Sequence, residues 1–485
     1  MKRVVFTSFV VLLSFRTFAQ TTFQQAYDAF KRQAEKEYRD FRDESNQQYA
    51  EWLRQAWAEY QILPAVKKPK EEEKPPVTLP KEDKEKSVED TPVVIEEVVS
   101  PPQPAPQPVP VAPIREQPQP EAKWINFVLY GTNMRVRFDD GQRFVLPDCQ
   151  PSSIASAWER MAREDYNNTI RDCLELRIDR ELSDWTYLLM LEKMAEACLG
   201  NSNEATLLMA FVYCQSGYEM RLGIAGNRIC LLYASKHAIY GQPYFKIEDE
   251  NFYPFNCEDS RMNICGASFP DEKPLSLLIT NKQSLTFDPS QPRTLTSEEY
   301  PDISVTTSVN KNLIDFYNTY PSSVLDGNVM TRWALYANTP MEEEVRQSLY
   351  PVLQEKIKGM SQKEAMERLL NFTQTAFVYE YDDKVWGDDR AFFPEETLFY
   401  PYCDCEDRSI FLSRLVRDLL GLKVILIYYP GHLAMAVHFT EEVKGDYIIL
   451  GDNKYVVCDP TYIGAPVGLT MPDMDNKTAK VILLE

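Results

Sequence analysis

Histidine is nearly absent: the 485-residue chain holds three, His237, His432 and His438. That scarcity disfavours a histidine-built metal centre, and Cys403 and Cys405 stand too close together for the usual zinc-binding spacing, so no metal and no cofactor is expected. Positive charge is also in deficit, with 52 Lys and Arg against 73 Asp and Glu and a formal net charge of -21. Phosphate backbones and anionic lipid surfaces repel such a chain, which removes nucleic acid from the expected partners. Beyond the N-terminus no apolar run approaches the roughly 20 residues that span a bilayer. No cysteine follows the leader-like start, which argues against a lipid anchor.

What is present begins with that start. Lys2 and Arg3, the apolar stretch Val4 to Leu13 and the small-x-small site Thr17-Phe18-Ala19 predict a secretory signal over 1–19 and a secreted or periplasmic product. Residues 20–63 carry an eleven-residue recurrence: Tyr27, Tyr38, Tyr49 and Tyr60, followed at the same step by Phe30, Phe41, Trp52 and Leu63. Eleven residues over three turns is about 3.67 per turn, which keeps an aromatic stripe on one face of a single helix about 60 Å long. Such a stripe needs cover, either from self-association or another protein, or from the chain's own body. Pro64 ends the pattern, and 64–122 turns to Lys/Glu runs and then PPQPAPQPVPVAP, nearly half of the 33 prolines, predicting a disordered or extended spacer.

From Lys123 order is expected again. WINFVLYGTNMRVRF reads as a hairpin turning at Gly131-Thr132-Asn133, followed by helical runs near 152–167, 170–179 and 182–199. Residues 123–250 form an α/β domain in this reading, and 251–330 a β-rich connector with LSLLIT and ISVTTSV as strand candidates. Among the ten cysteines of an exported chain, Cys257 and Cys265 are the favoured disulfide, with Cys198, Cys214 and Cys230 as buried thiols. The helical run 341–358 is expected to kink or break at Pro351.

The last part, 331–485, holds the chemistry. PYCDCEDRSIFLSRLVRDLL sets Cys405 directly before an amphipathic helix that stops at Gly421. A helix N-terminus favours thiolate over thiol. KVILIYY is a buried-strand run, Pro430-Gly431 turns it, HLAMAVHF opens on His432, and YVVC delivers Asp459. A thiol on a helix tip facing a histidine and an aspartate on adjacent strands is a nucleophile with its base and the group that orients it. His438 competes with His432 from the same strand face but sits about 20 Å further on. A disulfide between Cys403 and Cys405 would be strained.

Cys405-Glu406-Asp407, His432 after Gly431, the CDPTY segment and the lead-in FVYEYDD and PEETL resemble the transglutaminase-like superfamily. The resemblance covers the C-terminal third. It implies an α+β chain with a papain-like core in which Cys405 is the nucleophile, His432 the base and Asp459 its orienter, acting on a protein or peptide substrate. The family pattern usually has Gly where Cys403 stands and an aromatic where Ala434 stands. A second oxyanion donor has no clear match, with Trp386, Tyr400 and Tyr402 as candidates.

NSNEATLLMAFVYCQSGYEMRLGI, with Asn201 as far from Gly217 as Cys405 is from Gly421, echoes the site. It is either a degenerate first copy, whose cleft binds at most, or a common helix-Gly-strand unit matching by chance. His237 is read there as structural. Two functions follow: a thiol enzyme cleaving or transferring amide bonds, hydrolysis favoured over transamidation, or an inert scaffold working through its helical arm.

Overall fold

The computed structural model describes residues 36–70, 72–83, 88–103, 107–110, 114–119 and 121–485. The signal over 1–19 and the first part of the arm lie outside them. The architecture is mixed α+β, and among the described residues no helix is long and apolar enough to cross a membrane.

Two sheets organise it, the first antiparallel, the second antiparallel in its core with a parallel strand added at each edge. The first runs Trp57–Gln61, Arg261–Cys265, Met220–Ala225, Arg228–Ala234, Glu250–Phe255, Phe245–Ile247. The second runs Glu97–Val99, Lys480–Leu483, Lys423–Tyr429, His432–His438, Asn453–Cys458, Asp446–Leu450, Thr91–Pro92. In the order given, the five strands after the first follow one connectivity in both sheets. A helix leads into a hairpin, whose first strand pairs with the last strand of the unit and whose second pairs with a further hairpin. The registers agree as well, with Phe255 opposite Leu231 in one and Cys458 opposite Met435 in the other. Each leading helix is central: Asn203–Gln215 buries almost every side chain, and Cys405–Leu420 buries Ile410, Phe411, Leu412, Leu415 and Val416. Burying each such large apolar side chain contributes roughly 1.5–3 kcal/mol.

The arm departs from its periodicity. Residues 36–55 are helical, but the chain turns at Ala56, and Trp57–Gln61 becomes an edge strand on Arg261–Cys265. Local pattern loses here to a sheet edge whose backbone groups need partners. The stripe is covered by the chain itself: Tyr49 packs on Trp158 at 4.8 Å and Phe269 at 5.6 Å, while Trp158 Nε1 donates to Asn46 at 3.0 Å. Tyr38 and Phe41, nearer the start, are exposed.

The expected disordered spacer is overturned for its described residues. Val77–Thr78 pairs with Tyr462–Ile463, Thr91–Pro92 with the edge strand Asp446–Leu450, and Glu97–Val99 with Lys480–Leu483. Proline-rich sequence is already extended, so laying it along an edge costs little further order.

Further corrections follow from packing. The hairpin Trp124–Leu129/Thr132–Arg137 turns one residue early, at Tyr130-Gly131, both with positive φ. Residues 251–265 complete the first sheet and are no connector, LSLLIT joins no named strand, and Ser304–Thr307 pairs with Arg293–Thr296. The helix Glu343–Ile357 passes unbroken through Pro351, held by its buried face of Val345, Leu349, Tyr350, Leu353 and Ile357. The disulfide joins Cys230 to Cys257, because neighbouring strands carry them together; Cys265, on the far side of the sheet, is free, whereas Cys198 and Cys214 are buried thiols as expected.

Peptide mapping of non-reduced protein is expected to recover Cys230 linked to Cys257 and no Cys257–Cys265 peptide. A bridge spanning 27 residues stabilises by about 3 kcal/mol, so reduction should lower the melting temperature by several degrees.

Candidate functional site

Cys405 is the first residue of its helix. Asp404 caps it, its Oδ1 accepting from the N–H groups of Glu406 at 3.2 Å and Asp407 at 3.4 Å, while Asp407 accepts from the Asp404 N–H. Gly421 closes the helix with φ +66°. The hairpin that follows places His432 opposite Tyr429, and Asp459 leaves the neighbouring strand one residue after Cys458.

His432 Nε2 lies 2.9 Å from Asp459 Oδ2, both side chains essentially without solvent contact. Asp459 Oδ1 accepts from the backbone of Thr461 at 2.8 Å and Tyr462 at 3.2 Å, so its carboxylate is held at both oxygens. That leaves His432 Nδ1 buried with no partner. The N–H of the next residue, Leu433, is directed at the Cys405 thiol, and Ser409 Oγ donates to the Leu433 carbonyl at 2.8 Å, locking the helix to the strand.

Supporting contacts escape sequence reading. Arg408, wholly buried, donates to the carbonyls of Gln374 at 3.0 Å, Phe377 at 2.9 Å and Pro460 at 3.4 Å. Gln374 Nε2 in turn donates to the carbonyls of Asp459, Tyr462 and Ala465. Both side chains fix the turn that presents Asp459.

The oxyanion candidates change. Tyr400 gives its hydroxyl to Asn318 at 2.8 Å, Trp386 packs on Phe392, Tyr400 and Arg390, and Tyr402 is exposed. The ring beside the thiol is Tyr379: its hydroxyl is buried without a partner, and its ionisation is pushed far up by burial and by the nearby Cys405 and Asp404. The FVYEYDD lead-in contains Tyr379, but only the fold says which of its rings turns inward. His438 bonds to the Lys454 carbonyl at 3.0 Å, and Cys403 and Cys405 are both free thiols.

Electrostatics oppose the helix-terminus expectation. Burial first, then the carboxylates of Asp404 and Glu406, pushes the Cys405 thiol well above its ordinary range. A partial positive charge at a helix end does not outweigh full desolvation.

The segment before Val77 runs over this site. The Lys74 N–H donates to the Gly431 carbonyl at 2.8 Å, while Lys68 and Lys70 lie 3.6 and 3.5 Å from Asp388 and Asp383. Gly431 has φ +77°, and a Cβ there would stand 2.1 Å from the Glu72 carbonyl. Only glycine admits this strap so close to the His432 turn.

The first sheet presents the same positions with other residues. Asn203 is the first residue of its helix, Arg228 opens the second hairpin strand, and Asn256 follows Phe255 as Asp459 follows Cys458. Asn203 Oδ1 accepts from the Ile229 N–H at 2.9 Å, and Arg228 donates to the Asn256 carbonyl at 2.9 Å. These residues line a cavity of about 560 Å³. Asn203, not Asn201, therefore stands in the thiol's place; this helix is shorter, so equal spacing to glycine misaligned the two. His237 lies elsewhere, its Nδ1 3.1 Å from Ser323 Oγ and its Nε2 accepting from the Leu277 N–H at 3.2 Å.

No family model matches the chain, and no curated protein matches it.

Substituting Gly431 by Ala is expected to lift the strap: Cys405 alkylation by iodoacetamide should accelerate at least several-fold, and an unchanged rate would show that the strap does not shield the thiol. Burial pulls His237 down to about 4. Below about pH 6.5 the unfolded chain takes up a proton the native state refuses, so roughly 3 kcal/mol of stability is lost as pH falls from about 6.5 to 4. His237→Gln should flatten that limb in urea midpoints measured across the range.

Proposed function

We propose that the chain is a transglutaminase-like thiol enzyme that opens peptide or side-chain carboxamide bonds, with water as the preferred acceptor. The observation that carries this reading is the buried His432–Asp459 pair at 2.9 Å, whose remaining ring nitrogen is unpartnered beside the helix tip that bears Cys405. A carboxylate on one imidazole nitrogen fixes the tautomer in which the other is a base.

With the thiol neutral at rest, proton transfer accompanies attack. His432 Nδ1 takes the Cys405 proton as sulfur adds to the carbonyl carbon. The Cys405 N–H and the Tyr379 hydroxyl donate to the developing oxyanion. The carbon–nitrogen bond breaks as His432 returns the proton to the leaving amine or ammonia, leaving a thioester. Water, deprotonated by His432, then attacks the thioester and releases the acid and the thiol.

A second reading, an inert binding scaffold, is favoured by one observation: Cys405 is 1% exposed beneath the strap. The two separate in a turnover assay with glutamine-containing peptides, read as ammonia release and as new amino termini. Cys405→Ala should fall to background, Asp459→Asn should lose about a thousandfold, and Tyr379→Phe should lose about 10²–10³ in kcat with little change in KM. Turnover that survives Cys405→Ala would remove the enzyme reading.

A further inference from the structure

The two sheets place a cleft at the same point of their frameworks and treat it differently. Beside His432 the strap crosses the hairpin turn, its Lys74 N–H bonded to the Gly431 carbonyl, and the hollow there measures about 80 Å³. In the first sheet, where Asn203 starts the helix and Arg228 opens the second hairpin strand, it measures about 560 Å³. The turn before Arg228 is uncovered: a Cβ added at Gly226 would meet nothing within 4 Å. A second hollow of about 970 Å³, bordered by Tyr240, Gln242, Pro243 and Pro321, shares Arg228 and Asn256 with the first. Together they form a trough with those two exposed side chains at its middle.

The trough is held in shape. Cys230 lies on the strand that opens on Arg228, and Cys257 follows Asn256, so their disulfide ties the Asn256 turn to that strand. Arg228 donates to the Asn256 carbonyl at 2.9 Å, and Asn256 Nδ2 donates to Glu192. Where the second sheet steadies the Asp459 turn with Arg408 and Gln374, the first uses a covalent bond. A site fixed before its ligand arrives loses less freedom on binding.

Its lining selects among ligands. Glu192, Glu196 and Glu258 outnumber Arg228, and Lys193 is spent on Glu192 and Glu196 at 3.5 and 2.9 Å, so a phosphorylated or polyanionic ligand is repelled. Cys230, Cys257 and Asp259 gather beside it, but both sulfurs are in the disulfide and neither is a thiolate for a metal ion. Phe255, the ring of the first hollow, is 9% exposed and packs on Trp185 and Tyr233, which leaves little face for a sugar. What remains is a row of amide and hydroxyl groups, Asn201, Thr206, Asn256 and Gln242, running toward the prolines of the second hollow. An extended polypeptide presents a donor and an acceptor at almost every residue and can pair with such a row along its length. The strap is the precedent within the chain, a stretch of polypeptide lying against the same framework at the His432 turn.

We infer that the trough of the first sheet, centred on Arg228 and Asn256, is a non-catalytic binding site for an extended peptide segment of a partner protein, one without net negative charge. The proposal stands apart from the reading of Cys405. It gives the chain a second place at which a protein is held, on the sheet whose helix start carries asparagine in place of the thiol.

The test is panning of a random-peptide phage library on the immobilised full chain, followed by calorimetric titration of the enriched peptides. Enriched peptides are expected to carry no net negative charge and to bind one per chain. Arg228→Glu should weaken them at least tenfold, and Asn201→Trp, which fills the first hollow, to a similar degree. Both positions are exposed, so both variants are expected to melt with the wild type. Cys405→Ala should bind the peptides as the wild type does, so this site and the catalytic reading fail separately. No enrichment, undiminished binding by Arg228→Glu or Asn201→Trp, loss of binding in Cys405→Ala, or a glycan-array ligand that depends on Arg228 where no peptide is enriched would each overturn the proposal.

Discussion

Backbone polar groups at a sheet edge must find partners, and much of this chain's design follows from that constraint. Segments earlier in the chain cover one edge of the first sheet and both edges of the second. Trp57–Gln61 lies along Arg261–Cys265, while Thr91–Pro92 and Glu97–Val99 lie along both edges of the second sheet. Because these pairings anchor the N-terminal segment at widely separated places, the stretch between them is drawn across the His432 turn. The strap over the site is therefore a by-product of edge pairing, made tight by Gly431.

The two sheets show how one framework separates structure from chemistry. The same connectivity and register set Cys405 against the strand that opens on His432 and pair His432 with Asp459 in the second sheet, and set Asn203 against the strand that opens on Arg228, which meets Asn256, in the first. The scaffold hydrogen bond persists in both, since a backbone N–H one residue after the hairpin turn meets the first side chain of the helix. Asparagine accepts that bond as well as sulfur does, but it has no nucleophilic lone pair to deliver. Packing of the central helix is what both positions share, and the side chain at the helix start is what differs.

Around Cys405 the balance of forces is decided by burial. A helix terminus offers a fraction of a positive charge, whereas Asp404 and Glu406 sit on either side in a space without solvent. A thiol there is held in its protonated form. Burial and mutual repulsion push the carboxyls of Asp404 and Glu406 well above their ordinary range as well, so strap, loop and site helix share one electrostatic problem at the helix tip.

Local chemistry was legible where the elements are local. The helix from Cys405 to the Gly421 stop, the turn at Pro430-Gly431 and the strand delivering Asp459 follow from short-range periodicity and turn residues, and these bring the three residue types to element ends. What could not be read were outcomes of long-range competition. Eleven-residue periodicity predicted helix through Tyr60, but a sheet edge more than 200 residues away claimed Trp57–Gln61. Proline-rich composition predicted a spacer, but extended chain is also what an open edge accepts. Cys257 found Cys230 because sheet neighbours, not sequence neighbours, set distances, and Tyr379 was singled out only when the fold turned one aromatic of several toward the thiol. The sequence by itself determined which elements form and which reactive groups stand at their ends, since those depend on residues within a turn or two. Tertiary structure alone decided what covers the site, which ring faces it and how its charges are balanced, since each depends on groups brought together from distant parts of the chain.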